Sequence, residues 1–298
     1  MSLVCAFLFA PLGVVFGHMS LSRINKTGEQ GRGLAIAGLI ISYLVIVLTI
    51  VATVVSIVAL VLLAQSFDRL NAGRPGWAGG STSAPAGAPL PPFAPPATLG
   101  SNCQYPATTE PASRPVSAPP VGRASTTPAA IPADIITDRG RIGVELDNAK
   151  SPCTVRNFLS LAEQGFFDET RCHRLTVGAT LRLLQCGDPS GTGTGGPGYR
   201  FPNEYPSNQY RLADPALSAP VVYPRGTVGM ANTGPGSNGS QFFLVYDDSE
   251  LPPQYTVFGR VDAASLAVLD DIAGGGTRDG SQDGQPAIGV TIESVRAN

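Results

Sequence analysis

The chain has 298 residues, 35 of them glycine and 27 proline, with 43% hydrophobic and only 14% charged residues and a formal net charge of −2. That length suits one or two domains, but so little charge beside so much glycine and proline excludes a single average globular domain. A near-neutral balance without a basic run also excludes a nucleic-acid binder, whose phosphate contacts need a positive footprint.

Residues 1–17 are a short apolar run, and residues 33–66 carry no charged side chain. About 20 apolar residues cross a hydrocarbon core of about 30 Å. The second run therefore predicts a transmembrane helix over about residues 34–64, and the first a shorter partner over about 1–17. The β-branched content of the second run does not argue for a strand, because a lone strand in lipid leaves its backbone unpaired. The first run lacks the basic segment and small-residue cleavage site of a signal peptide, and Val4 before Cys5 speaks against a lipoprotein. The loop between the runs carries Arg23, Lys26 and Arg32 against Glu29, and positive charge near helix ends marks the cytoplasmic side. The expectation is a helical hairpin over residues 1–66 in the cell membrane with everything after it extracytoplasmic, although Arg69 and Arg74 keep the charge bias modest. The phrase VVFGHMSLSRINKTGEQGRGLAIA, residues 14–37, resembles the small two-helix membrane domain that often precedes extracytoplasmic domains in bacteria.

From residue 67 to 132 the chain turns to Pro, Ala, Gly, Ser and Thr. Such a composition buries too little apolar surface to fold and predicts a disordered linker. Fully extended, residues 71–132 would reach roughly 190 Å, and as a flexible coil about 45 Å. Residues 133–298 then read as a domain of short strands and turns. DIIT (134–137) and RIGVEL (141–146) predict two strands around an Asp-Arg-Gly turn. Residues 152–164 predict a helix, with Val155, Phe158, Leu159 and Ala162 at helical spacing and Gly165 ending it. The many short apolar runs that follow predict a mostly β barrel or sandwich.

Three blocks in this region carry a family resemblance: NFLSLAEQGFFDETRCHR (157–174), LQCGDPSGTGTGGPGYRFPNE (184–204) and GTVGMANTGPGSNGSQFFLVYDDSELPPQYTVFGRV (226–261). They resemble the cyclophilins, peptidyl-prolyl cis-trans isomerases. The resemblance implies an eight-stranded antiparallel barrel with two capping helices, the second near residues 264–272. It implies isomerisation of Xaa-Pro bonds without cofactor or metal by a monomeric catalytic domain. Proline-containing polypeptides would be the substrates, exported or cell-envelope proteins whose folding it assists, with the membrane reached through the N-terminal helices and no nucleic acid as partner.

An Xaa-Pro bond rotates over a barrier of about 18–20 kcal/mol because resonance makes its C–N bond partly double. A donor that localises the nitrogen lone pair weakens that resonance and stabilises the twisted state selectively. By resemblance Arg174 is that donor and Gln185 holds the substrate carbonyl. The backbone of Asn232 pairs with the residue before proline, and Phe243, Met230, Ala231, Gln241, Leu183, Leu251 and Tyr255 surround the ring. Of Phe242 and Phe243, adjacent strand positions, one faces the core. His173 reads as a packed neighbour of Arg174, because isomerisation moves no proton.

The chain also departs from the family pattern. Arg174 and Gln185 lie eleven positions apart, more than the family pattern has. The family's pocket phenylalanine falls on Arg182, its methionine on Leu183, and Leu181 replaces the phenylalanine if the register shifts. The tryptophan that cyclosporin exploits is Leu251 here and the rim histidine is Tyr255, which implies catalysis retained with weakened cyclosporin binding. Arg182 and the longer turn leave a second reading open, a non-catalytic module or chaperone that holds proline-containing segments in the same groove. The glycine-rich GTGTGGPG (191–198) lacks the lysine and strand-to-helix context of a phosphate loop. The two histidines, His18 and His173, give no metal site. Cys103, Cys153, Cys172 and Cys186 are an even number outside the apolar runs. Two disulfides, one from Cys103 pinning the linker to the barrel, and four free buried thiols both fit.

Overall fold

The computed structural model describes residues 87–298 together with the isolated helical positions Ile40, Ile41 and Val47. The expected membrane hairpin and the first part of the expected linker otherwise lie outside the described residues. Among those described, no helix is long and apolar enough to cross a membrane. The chain divides into units 1–82 and 83–298, and the second is built as follows.

β2 (Ala130–Thr137) and β3 (Gly140–Asp147) form a hairpin paired from Ala130↔Asp147 to Thr137↔Gly140. The Asp138–Arg139 turn closes on Gly140, whose φ of +125° favours glycine. Alternation along β2 buries Ala133, Ile135 and Thr137. α1 (Pro152–Glu163) opens on a proline, whose missing N–H costs nothing in a first turn. Leu161 is buried on this helix together with Val155, Phe158 and Ala162, whereas Leu159 is only partly so.

The other elements are β4 (Thr170–Arg171), β5 (Arg174–Val177), β6 (Arg182–Cys186), β7 (Val221–Tyr223), β8 (Thr227–Met230), β9 (Phe242–Val245), β10 (Ser249–Leu251), β11 (Val257–Val261), α2 (Leu266–Gly274), β12 (Asp283–Gly284) and β13 (Thr291–Ala297). One sheet runs β12-β5-β6-β9-β8-β11-β3-β2-β13-β4, every pair antiparallel. Its ends meet because β4 and β5 are parts of one stretch of chain. Cys172 N–H donates to Val290 on one side of the seam, and His173 N–H to Gln185 on the other. The sheet is a curled one of ten strands, and it reaches the expected count of eight when β4 and β5 are taken together and the two-residue β12 is set aside. Phe158 from α1 fills one end, its ring 5.2–5.4 Å from Phe167, Phe242 and Phe258.

Residues 87–132 correct the linker expectation: they bind to the barrel. β1 (Ala88–Pro89) pairs in parallel with β7, which pairs with β10. The Tyr205 hydroxyl donates to the Pro91 carbonyl at 2.7 Å, and Phe93 meets the Tyr205 ring edge-on at 5.5 Å. Cys103 is joined to Cys153 on α1, and Tyr105 is buried with its hydroxyl on the Cys153 carbonyl. Arg114 reaches back to the carbonyls of Gly165, Phe166 and Asp168 behind the end of α1. A proline-rich strap has few N–H donors, so side-chain anchors and its own carbonyls do most of the holding. Composition averages over such sparse anchors, which is why it reads as linker.

Glu204 caps α1 from across the fold. Its carboxylate accepts from the Cys153 and Thr154 backbone N–H groups at 3.1 and 2.8 Å and from the Thr154 hydroxyl at 2.7 Å. Burial pushes its pKa up to about 7 against these donors.

Two outcomes follow. Replacing Cys103 and Cys153 by serine should destabilise the 83–298 unit by about 2–4 kcal/mol in denaturant unfolding, since the bond closes a 50-residue loop; a loss under about 1 kcal/mol would mean that the strap is held without it. For Glu204 the folded pKa is raised, so its contribution is complete below the unfolded value of about 4.3 and is lost as pH rises through about 7. The melting temperature should fall by several degrees more between pH 5 and 8 in the wild type than in Glu204→Gln, as scanning calorimetry would read.

Candidate functional site

Strand pairing places four residues in one row across the barrel wall: Arg174 on β5 opposite Gln185 on β6, Gln185 opposite Phe243 on β9, and Phe243 opposite Gly229 on β8. Their sequence neighbours Leu175, Leu184 and Phe242 point into the barrel core. The row therefore occupies the outer face, and Phe243 is separated from Phe242 as adjacent positions on a strand require.

Phe243 is nonetheless only 2% exposed. It belongs to a second apolar cluster with Leu183, Val221, Tyr223 and Val245, edged by Leu181, Ala231, Leu251, Tyr255 and Val257. The rings of Tyr223 and Tyr255 stand edge-on to it at 6.3 and 6.0 Å. Beneath it lies Gly229, where a Cβ would come within 2.4 Å of the ring. Leu181, Leu183 and Gln185 share this face by alternation, so Leu181 supplies apolar wall where Arg182 cannot. Arg182 turns away, donating to the Gly178 carbonyl and pairing with Asp247. The longer turn is held in place, since Glu250 N–H donates to the Thr180 carbonyl at 2.7 Å.

Met230 is a correction. Expected beside the ring, it is packed in the barrel core opposite Phe242, because it follows Gly229 and so faces the other way. Ala231 does border the cluster. Asn232 spends its side chain on Asn238 within its own loop and on the Gln254 carbonyl of the loop between β10 and β11. Its backbone N–H and C=O carry no hydrogen bond among the described residues.

Beside the apolar cluster runs a chain of polar groups. Arg174 donates from Nη1 to Gln185 Oε1 at 2.9 Å, and from Nε and Nη2 to the Asp283 carboxylate at 2.7 and 2.8 Å. The hydrogen bond to Asp283 raises the arginine's pKa further and holds the carboxyl of Asp283 below the usual range. Gln185 Nε2 donates to Gln241 Oε1 at 2.8 Å, and Gln241 Nε2 to the carbonyls of Gly193 and Gly195 at 3.0 and 2.9 Å.

The glycine-rich loop is thus a support for Gln241. It wraps the buried Asp188, whose carboxylate accepts from the N–H groups of Ser190, Gly193 and Gly195 at 2.8, 2.8 and 3.0 Å. Burial alone would raise the pKa of Asp188, but the Ser190 hydroxyl and these N–H groups hold it below its ordinary value. Sequence reasoning missed Asp283, Asp188, Tyr223 and Gly229. Asp283 sits in the turn-like SQDGQP, which carries no signal of its own.

His173 has both ring nitrogens shut off from solvent without a hydrogen-bond partner, and burial lowers its pKa. Its imidazole packs against Gly193, beside the Gln241 side chain. The second disulfide, Cys172–Cys186, brackets the pair: Cys172 lies two residues before Arg174 and Cys186 follows Gln185. What the site offers is an apolar cluster around Phe243 beside a fixed guanidinium, with free backbone at Asn232.

Comparison with known proteins identifies the family. Residues 133–297 match the family model described as cyclophilin type peptidyl-prolyl cis-trans isomerase/CLD, and residues 1–52 match a domain of unknown function, DUF4190. The probable peptidyl-prolyl cis-trans isomerase B of Mycobacterium tuberculosis (strain ATCC 25618 / H37Rv) is 58% identical over 207 residues, covering 70% of this chain and 67% of that protein. The protein of the same name from Mycobacterium leprae is also 58% identical, covering 70% of each. A crystal structure of a cyclophilin-type isomerase from Cryptosporidium parvum superposes with a TM-score of 0.45 at 28% identity, over 57% of this chain and 98% of that one. With more than half of its length matched by the family model and its isomerase relatives this similar, the chain belongs to the cyclophilin-type peptidyl-prolyl cis-trans isomerases and is an enzyme of that class.

Proposed function

We propose that this isomerase acts on Xaa-Pro bonds of exported or cell-envelope polypeptides and assists their folding, from a position tethered to the membrane by its N-terminal segment. The observation that carries the reading of the site is the row Arg174–Gln185–Phe243 beside the second apolar cluster. In this reading the prolyl ring enters against Phe243, between Leu183, Ala231, Leu251 and Tyr255. The residue before proline pairs with the backbone of Asn232, and Gln185 holds the substrate carbonyl. Arg174 donates to the prolyl nitrogen as the amide twists out of plane, where the lone pair first becomes available. Ground-state amides offer no such acceptor, so the interaction favours the twisted state selectively. Of the features that favoured a non-catalytic module, Arg182 turns away from this pocket, and the longer turn contributes Leu181 to its apolar wall.

The tether reading is supported by the charge-free run of residues 33–66, and the extracytoplasmic one by the two disulfides, which persist in oxidising compartments and are rare in a reducing cytosol. Alkylation of native membranes with and without reductant tests it: all four thiols reactive before reduction would sink the extracytoplasmic assignment.

For the chemistry, Arg174→Ala in the full-length chain should lower kcat/KM on a fluorogenic Xaa-Pro peptide at least about tenfold, with a wild-type melting temperature. Undiminished activity would show that the arginine is not the acting group. Gly229→Ala drives a methyl into the Phe243 ring. It should raise KM at least about threefold and destabilise the fold by about 1–3 kcal/mol, read by Michaelis profiles and thermal unfolding.

A further inference from the structure

Asp283 stands outside every block that carried the family resemblance. It lies on β12, where its pairing with Thr176 lays it alongside β5. The position of this backbone does not depend on the carboxylate: Val177 N–H donates to the Gln282 carbonyl at 2.9 Å, and the Ser281 hydroxyl to the carbonyl of Asp283 at 2.9 Å. The carboxylate itself is spent on Arg174, one oxygen on Nε and the other on Nη2.

A guanidinium carries five N–H donors in one plane. Three are engaged, two by Asp283 and one by Gln185, which leaves one N–H on Nη1 and one on Nη2. Acceptors on two sides of a planar group permit a single orientation, so the direction of the two remaining donors is set before a substrate arrives. An arginine held only by Gln185 would still turn about that one bond.

We propose that Asp283 is a positioning residue of this isomerase: its two-pronged ion pair fixes the plane of Arg174 so that the unspent N–H groups face the twisting prolyl amide. The inference rests on the reading of Arg174 given above. It separates function from stability, because the side chains are 37% and 55% exposed and ion pairs so open to water add little to the fold. It also assigns the effect to a kinetic constant. Substrate is gripped mainly by the apolar pocket, whereas the arginine acts in the transition state, so misorienting it lowers kcat and leaves KM.

The test uses the full-length chain and a fluorogenic Xaa-Pro peptide over a range of concentrations, with thermal unfolding in parallel. Asp283→Ala and the isosteric Asp283→Asn should each lose about five- to twentyfold in kcat/KM, carried by kcat, with melting temperatures near the wild type. Asp283→Glu should recover at least half of the loss. If Asp283→Ala fails to fold, Asp283→Asn carries the measurement. In an Arg174→Lys background, where no two-pronged pair forms, adding Asp283→Ala should cost less than about twofold.

An equal loss in both backgrounds would mean that Asp283 acts through its loop, and overturns the proposal. So does a change below twofold in Asp283→Asn while Arg174→Ala is inactive, an outcome that leaves the role of the arginine intact. Full activity of Arg174→Ala removes the foundation of both.

Discussion

The pairing register of β5 with β6 is the constraint on which the rest of the site depends. Arg174 faces Gln185, and the same face of the next strands brings Phe243 and then Gly229 into line. Strand side chains alternate, so a slip of one residue would send Arg174 toward the barrel core and Leu175 or Leu184 to the surface. Several features oppose that slip. Leu175, Leu184 and Phe242 fill the inner face, the Thr180 carbonyl ties the turn to Glu250, and the Cys172–Cys186 bond spans the strands at the end where Arg174 and Gln185 lie. A longer turn is tolerated because it adds residues beyond the last pair, Val177↔Arg182, and leaves the register behind it alone.

With the register set, orientation is carried along the row by groups that can each point only one way. Gln185 accepts from Arg174 through its oxygen and donates through its nitrogen to Gln241, and Gln241 in turn donates to two carbonyls of the glycine-rich loop. Reversing either amide would set donor against donor at one of its ends. The sequence of polar groups thus begins at a carboxylate, Asp188, that gathers the loop, and ends at a carboxylate, Asp283, that grips the arginine. The amides between them add no charge next to an apolar pocket, where an unpaired charge would be costly.

What could be read from the sequence follows from how local each signal is. The β2–β3 hairpin and α1 rest on periodicity and turn residues, all short-range, and the second helix on the family resemblance; α1 and the second helix lie close to their expected bounds, while β2 starts earlier, at Ala130. The positions of Arg174, Gln185 and Phe243 followed from family blocks with internal spacing. Met230 was misassigned because proximity in a motif is not proximity on a face, and one step along β8 exchanges core for pocket. Asp283 was invisible for the opposite reason: its partner lies 109 positions away, and nothing near it in the chain records that contact. The strap defeats composition in the same manner. Cys103, Tyr105, Phe93 and Leu90 are few among prolines and alanines, yet each meets a site on the barrel.

The two disulfides divide the labour of holding this molecule between those scales. Cys103–Cys153 ties a segment with little core of its own to the helix that plugs the barrel, whereas Cys172–Cys186 ties together two strands that already pair. The first limits the freedom of a long loop in the unfolded chain; the second closes a shorter loop, where the loop-closure gain is about 1 kcal/mol smaller and local register is held as well. Reduction would therefore act in two places by different physics, loosening the strap as a matter of stability and the Arg174–Gln185 pair as a matter of geometry. A chain arranged in this way reaches its complete form only once both pairs of sulfurs are oxidised, and that couples the state of the pocket to the compartment in which the domain folds.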